Sequence, residues 1–412
     1  MTSTLGIDLG SSIRSAAIRE LDPLAADKLC FDMRRQNEDA DVPALVSALR
    51  SLVPTLDDVA GYSPEECVAA MRDLGMFLGS IKKHGPEPVP FVPEVTPVLL
   101  ELGRRTDMVP RDTVHHYTTW NPTGGRQRMY CGDIQEAYLQ ESVRMVFPHL
   151  REGLELAGIL SDMDVDDPKF GVLTDELTGH VETMVSSIDM VVANVSPVFF
   201  ARGLRAYFEE ITVDGRVLLG PAAAQVPLWL IDQAVWASDR SEPGYQEFLR
   251  DSVPYSLPRW RELYEHWTAV PSVVSRLVAA YGDDPEETER RVPALRASSE
   301  ALARLLRVIV VFRGRHLGIA RKAYDADLRL YPVGSGGASV DLLRRITDLT
   351  RATARLTGRR SAGAAAASTE DSGARASGCA HASAGASGCA HASAGAAADA
   401  AAGAERAERR SA

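Results

Sequence analysis

His316 stands on an apolar stripe. Leu302, Leu305, Leu306, Ile309, Arg313, His316, Ala320 and Ala323 follow one another at three- and four-residue steps, so a helix places the imidazole on the continuation of a hydrophobic face. An imidazole there is either a hydrogen-bonded core side chain or a metal ligand. Gly314 and Gly318, two residues to either side, thin the helix surface and leave room for a flat, bulky ligand. Arg313, one turn before His316 on the same face, is placed to pair with a carboxylate on the rim of such a ligand. Haem b meets these demands together: its iron takes a neutral imidazole, its macrocycle an apolar slot between helices, and its propionates an arginine.

Two further segments carry candidate chemistry. In Ser196-Pro197-Val198-Phe199-Phe200-Ala201-Arg202-Gly203-Leu204-Arg205-Ala206-Tyr207-Phe208, Ser196 and Pro197 suit the start of a helix. Phe200, Leu204 and Tyr207 then share a face beside Arg205, which suits a flat substrate bearing a carboxylate. Farther along, Tyr324 precedes the loop Gly334-Ser335-Gly336-Gly337, where glycines expose backbone amides and a single hydroxyl is presented. The alternative for each is structural: a packed helix with a surface arginine, and an ordinary turn.

Other patterns read as structure. Gly6-Ile7-Asp8-Leu9-Gly10-Ser11-Ser12 imitates a phosphate loop of actin-like ATPases but lacks the surrounding hairpin and the second loop. Asp162, Asp164 and Asp166 begin like a calcium loop, yet Asp167 and Leu173 stand where Gly and Glu are needed, leaving a solvated acidic turn. Ala376–Gly385 repeats as Ala386–Gly395, and Cys379, His381, Cys389 and His391 are spaced too tightly for the usual zinc site. The adjacent His115 and His116 point apart in an extended loop and suit a structural role.

The elements that position these residues are helical. Val42–Val53 follows the N-cap Asp41, and Ser63 with Glu66 forms a capping box around Pro64 for a helix that stops at Gly85. Five prolines between Pro86 and Pro97 give an extended linker. A helix restarts at Thr96, and Val114–Arg128 reads as an irregular loop. Helical periodicity then covers Ala137–Leu160, Asp175–Val195, Val198–Glu210, Pro227–Ala237 and Ser299–Tyr324, while Ile211–Leu219 reads as a short hairpin around Asp214-Gly215. From Ser361 to Ala412 the chain is almost entirely Ala, Gly and Ser, without one large apolar residue, and has nothing to bury. The expected organisation is an N-terminal helical part at 1–95, a catalytic helical domain at 96–358 and a disordered tail at 359–412.

Composition sets outer limits. Of the 412 residues, 45% are hydrophobic and 25% charged, the range of folded globular chains. A net charge of −11 repels phosphate backbones, so no nucleic-acid partner is expected. No signal-like N-terminus and no apolar run of membrane-spanning length is visible, which leads to the expectation of a cytoplasmic protein without a membrane partner. Five scattered cysteines do not form a disulfide framework.

Phe312-Arg313-Gly314-Arg315-His316 followed by Gly334-Ser335-Gly336-Gly337 resembles the haem-dependent tryptophan and indoleamine dioxygenase superfamily, where a proximal-histidine helix precedes a Gly-Thr-Gly-Gly loop. The similarity runs through Ala69-Ala70-Met71-Arg72-Asp73-Leu74-Gly75-Met76-Phe77-Leu78-Gly79-Ser80, Trp120-Asn121-Pro122, Glu141-Ser142-Val143-Arg144 and Leu219-Gly220-Pro221, and covers roughly Leu21 to Arg355. Ser335 in place of threonine, and the ungapped spacing from His316 through Tyr324 to Ser335, resemble the branch of synthases that rearrange 7-chloro-L-tryptophan in pyrrolnitrin biosynthesis.

The resemblance implies an all-α haem-binding bundle of the dioxygenase type with a smaller N-terminal helical part. It implies that His316 is the proximal iron ligand and Arg313 a propionate partner. Tyr324 and Ser335 would touch substrate or relay protons, with Gly336 beside them, Arg205 on the substrate carboxylate and Phe200 on the indole. Tryptophan or a halogenated tryptophan, with dioxygen or peroxide, would be the small-molecule partners of a monomer or weak homo-oligomer. The expected outcome is rearrangement and decarboxylation to an aminophenylpyrrole. The alternatives are dioxygenase-like cleavage to N-formylkynurenine and a haem-binding helical protein without turnover.

Overall fold

Four of the five N-terminal helices start at side-chain caps. α1 (Ser12–Glu20) begins at Ser11, whose hydroxyl accepts from the Arg14 amide; α2 (Asp27–Glu38) follows, and Asp41 caps α3 (Val42–Leu52). Thr55 and Asp58 close a capping box on α4 (Leu56–Gly61), and Ser63 and Glu66 close the expected one on α5 (Pro64–Lys83). In this computed structural model residues 8–222, 225–323 and 338–366 are described, with 358–366 as backbone alone. All belong to one compact unit.

Every residue of α5 from Cys67 to Ile81 is buried, so this helix is a spine with core on all sides. Val68 and Ala69 pack into one hydrophobic core, whereas Cys67, Leu74 and Phe77 pack into a second. The second core also takes Val92, Val95 and Leu99 from the proline-rich segment and α6 (Val95–Thr106), together with Tyr207, Phe208 and Leu218 from much later in the chain. The prolines at 86–97 therefore cross one core instead of separating two, and the expected boundary at 95 falls inside it.

The buried charged side chains of the spine itself are paired. Asp73 lies between Arg72 and Arg128, with guanidinium contacts of 2.8 and 3.0 Å. Burial works against its ionisation, but the two guanidiniums hold its carboxyl below the usual range. Arg128 also reaches Asp27, tying α2 to the loop after α7 (Val114–Tyr117).

Gly75 faces Asp112 so closely that an added Cβ would stand 2.3 Å from its Cγ. Alanine gains about 1 kcal/mol of helix propensity over glycine, but forcing apart a buried carboxylate costs about 1–3 kcal/mol. Gly75→Ala is expected to lower the melting temperature despite the better helix former, as thermal denaturation will show.

His115 and His116 lie on α7, not in an extended loop, and both are buried. His116 Nδ1 accepts from the Thr113 amide at 3.0 Å. The His115 ring packs among Trp120, Phe147 and Trp260, with centroids 5.1, 4.2 and 5.5 Å away. Burial pushes His115 from an ordinary 6.5 down to about 3, and burial with help from the charges of His115 and Arg72 lowers His116 well below its ordinary value. Because the unfolded chain takes up these protons first, the associated stability is complete above pH 6.5 and lost as the pH falls below it. At pH 5, His115 alone is expected to remove about 2 kcal/mol. Urea unfolding at pH 7.5 and pH 5 checks this, since His115→Phe should show the smaller acid loss.

The predicted helix over 137–160 is two, α8 (Ile134–Arg144) and α9 (Phe147–Asp162), because Pro148 starts a new helix after Met145 and Val146. α10 (Phe170–Asn194) agrees with its periodicity. The segment expected to be helical over 198–210 is instead a π-turn, Phe199–Leu204, followed by a 3-10 turn, Arg205–Phe208. β1 (Ile211–Val213) and β2 (Arg216–Leu218) form the expected antiparallel hairpin around Asp214 and Gly215, both with positive φ.

α11 (Leu228–Asp232) continues as a second π-turn, Gln233–Ala237, into α12 (Ser238–Arg240). α13 (Pro243–Ser252), α14 (Pro258–Thr268), α15 (Val273–Tyr281) and α16 (Pro285–Arg291) complete the shell. α17 (Pro293–Ala323) packs most extensively with α10 and with α18 (Val340–Ala366), which runs past the expected tail boundary at 359. Among the described residues no single helix is long and apolar enough to cross a membrane. Among the described residues the fold is all-α with one two-stranded hairpin.

Candidate active site

The stripe on α17 does what its spacing predicts up to a point. Leu302, Leu305, Leu306, Ile309 and Arg313 are buried, and the His316 ring opens onto a cavity of about 300 Å³. α8, α10, the 195–200 segment, α11, α13, α17 and α18 all contribute to its walls, which are mostly aliphatic and aromatic. Phe312 lies 5.7 Å from the imidazole, ring to ring. His316 makes no hydrogen bond within the protein among the described residues. Burial, then the charge of Arg313, lowers its pKa to about 4, so at neutral pH the ring carries a lone pair. This is the protonation state a metal needs from an imidazole.

Gly314 and Gly318 do not line the cavity, and a Cβ at either would meet nothing within 4 Å. The small residues that widen the slot are Ala320 and Ala323.

Arg313 lies on the cavity wall with its charge already matched. It is ion-paired to Asp232, hydrogen-bonded to Thr350 Oγ1, and 3.4 Å from the Tyr245 hydroxyl. Asp232 also accepts from Trp236 Nε1 at 2.8 Å and from the Tyr245 hydroxyl at 2.6 Å. The cluster joins α11 and its π-turn to α13, α17 and α18, and it is buried throughout. Sequence reading missed Asp232. Its signal is a lone carboxylate in the apolar run Leu228–Trp236, where burial requires a cation partner.

Phe200 lines the same cavity from the π-turn, so the fold brings Phe200, Arg313 and His316 together. Arg205 is buried on the following 3-10 turn and is not among the lining residues. Tyr324, Ser335 and Gly336 lie outside the described residues, whose nearest neighbours in sequence, Ala323 and Ala338, line the cavity.

A family model described as monodechloroaminopyrrolnitrin synthase PrnB matches residues 24–368. The chain belongs to this family. Members of the monodechloroaminopyrrolnitrin synthase family are enzymes of pyrrolnitrin biosynthesis. The matched span takes in the second hydrophobic core, the first except for Leu9 and Ile18, and every residue of the cavity. In this synthase-family chain the α8–α10 seam supplies two lining residues that sequence reading did not single out. Ser187 donates its hydroxyl proton to the Ser142 carbonyl at 2.6 Å, and Ser142 donates to the Leu139 carbonyl at 2.8 Å. Both hydroxyls thereby keep only lone pairs for a ligand.

Proposed function

We propose that the chain is a haem-dependent oxidative enzyme that rearranges and decarboxylates L-tryptophan or 7-chloro-L-tryptophan to an aminophenylpyrrole. The observation that carries this reading is the neutral, unbonded imidazole of His316 on an apolar cavity, in a chain of the pyrrolnitrin synthase family. The residues present fit haem: a lone-pair nitrogen for iron and apolar walls for the macrocycle. When bound, haem b supplies the oxidation, with dioxygen or peroxide as oxidant.

The chain's own part is positioning. His316 would hold the iron, and Asp232 with Tyr245 fixes Arg313 at the cavity wall, where it would serve as the propionate partner. Phe200 and Phe312 offer aromatic faces to an indole, and the aliphatic walls exclude water. Ser142 and Ser187 accept hydrogen bonds from ligand N–H groups. The family resemblance would assign the substrate carboxylate to Arg205, proton movement to Tyr324 and Ser335, and a further substrate contact to Gly336.

Anaerobic titration of the haem-reconstituted protein with tryptophan and with 7-chlorotryptophan tests the reading. Each is expected to shift the Soret band saturably. A protein that takes up haem but responds to neither amino acid contradicts it.

A further inference from the structure

Away from the cavity, polar atoms converge on one face of α5. Gly75 and Gly79 are one turn apart, and a Cβ at Gly79 would stand 2.7 Å from the Tyr130 hydroxyl, as one at Gly75 would meet Asp112. Arg111 Nε lies 3.5 Å from Asp112 Oδ1, and Arg111 Nη2 approaches Gly220. All three side chains are almost wholly buried: Arg111 and Tyr130 are 0% exposed and Asp112 2%. Arg111 Nη1 donates to the Leu218 carbonyl at 2.8 Å. Arg111 Nε and Nη2, Asp112 Oδ1 and the Tyr130 hydroxyl have no hydrogen-bond partner within the protein among the described residues.

An unsatisfied buried polar group is costly, so folded proteins leave few such atoms without a partner. Their chemistry specifies what satisfies them. One cation, one carboxylate and one hydroxyl sum to no net charge, which disfavours an ion. The arginine N–H groups and the phenol can donate, whereas the carboxylate oxygen only accepts. The smallest molecule that accepts from the first and donates to the second is water, which settles where two to four polar partners meet.

We infer that Arg111, Asp112 and Tyr130 form an internal site for ordered water between α5 and the Leu218–Ala222 loop. This site is independent of the proposed reaction. It joins the spine to the stretch that leads to Val226 and Leu228 on the cavity wall. Water bridging from Asp112 to Arg111 also accounts for a contact too long to be a direct charge-assisted hydrogen bond.

Tyr130→Phe gives a test with opposite signs, because it deletes one oxygen and keeps the ring stack on Tyr207 at a 4.3 Å centroid distance. If water satisfies the hydroxyl, the full-length variant melts lower, on the order of 2–4 °C. If the hydroxyl has no partner, removing it raises the melting temperature and overturns the inference. A high-resolution crystal structure of the wild type is the second measurement. Ordered water within hydrogen-bonding distance of at least two of the three side chains is expected. Density in which Tyr130 bonds Asp112 directly, with no water between them, overturns the site even if the variant melts lower.

Discussion

His316→Ala is expected to fold and to lose the Soret band completely on haem reconstitution. The loss should be complete because no other described histidine lines the cavity, so the variant retains the apolar walls but no imidazole for the iron. Stability should change little: the ring has no hydrogen bond to lose, and alanine is the best helix former. Near-wild-type melting together with absent haem absorbance therefore separates ligation from folding. A mere shift of the band, with haem still held tightly, is the result that counts against His316 as the axial ligand.

The second large effect is expected at Asp232. Asp232→Ala leaves the Arg313 guanidinium buried beside Tyr245 and Thr350 with no counter-charge, and breaking a buried pair from one side costs about 3–5 kcal/mol. That is a large part of the 5–15 kcal/mol that folded domains have in total. Thermal or urea unfolding should show the loss. Changing both partners is milder than changing either: the Asp232→Ala, Arg313→Met double variant should recover part of the stability because no unpaired charge remains. If the single and double variants melt alike, the pair is not what stabilises this region. Haem uptake read alongside tells whether the cluster also shapes the slot.

Both effects arise from features of very different legibility in the sequence. His316 is visible because 3.6-residue periodicity is a local property and the stripe from Leu302 to Ala323 is long. The capping box at Ser63 and the turn at Asp214-Gly215 are visible for the same reason: each is closed by residues within a few positions of one another. Asp232 is not, because its meaning comes from Arg313 and Thr350, far along the chain, and a single carboxylate in an apolar run names no partner. The two π-turns are equally hidden. Phe199–Leu204 has helical composition, and only tertiary packing widens its backbone and carries Phe200 to the cavity while Arg205 lies off it.

The proline-rich segment is hard to read for a related reason. Prolines between Pro86 and Pro93 break up regular helix, which resembles a linker, but Val92 and Val95 bury themselves in the core that α5 already occupies. α6 then extends that core. A break in secondary structure is legible locally, whereas a break between cores depends on which apolar side chains meet.

The central claim is tested most directly by the mass of the product. The haem-reconstituted chain is given 7-chloro-L-tryptophan and then dioxygen or peroxide, and the product is analysed by mass spectrometry. Loss of carbon dioxide together with two hydrogens taken up by the oxidant, with the chlorine retained and an aminophenylpyrrole formed, is the predicted result. Gain of two oxygen atoms with the carboxylate intact, the signature of ring cleavage to an N-formylkynurenine, contradicts it.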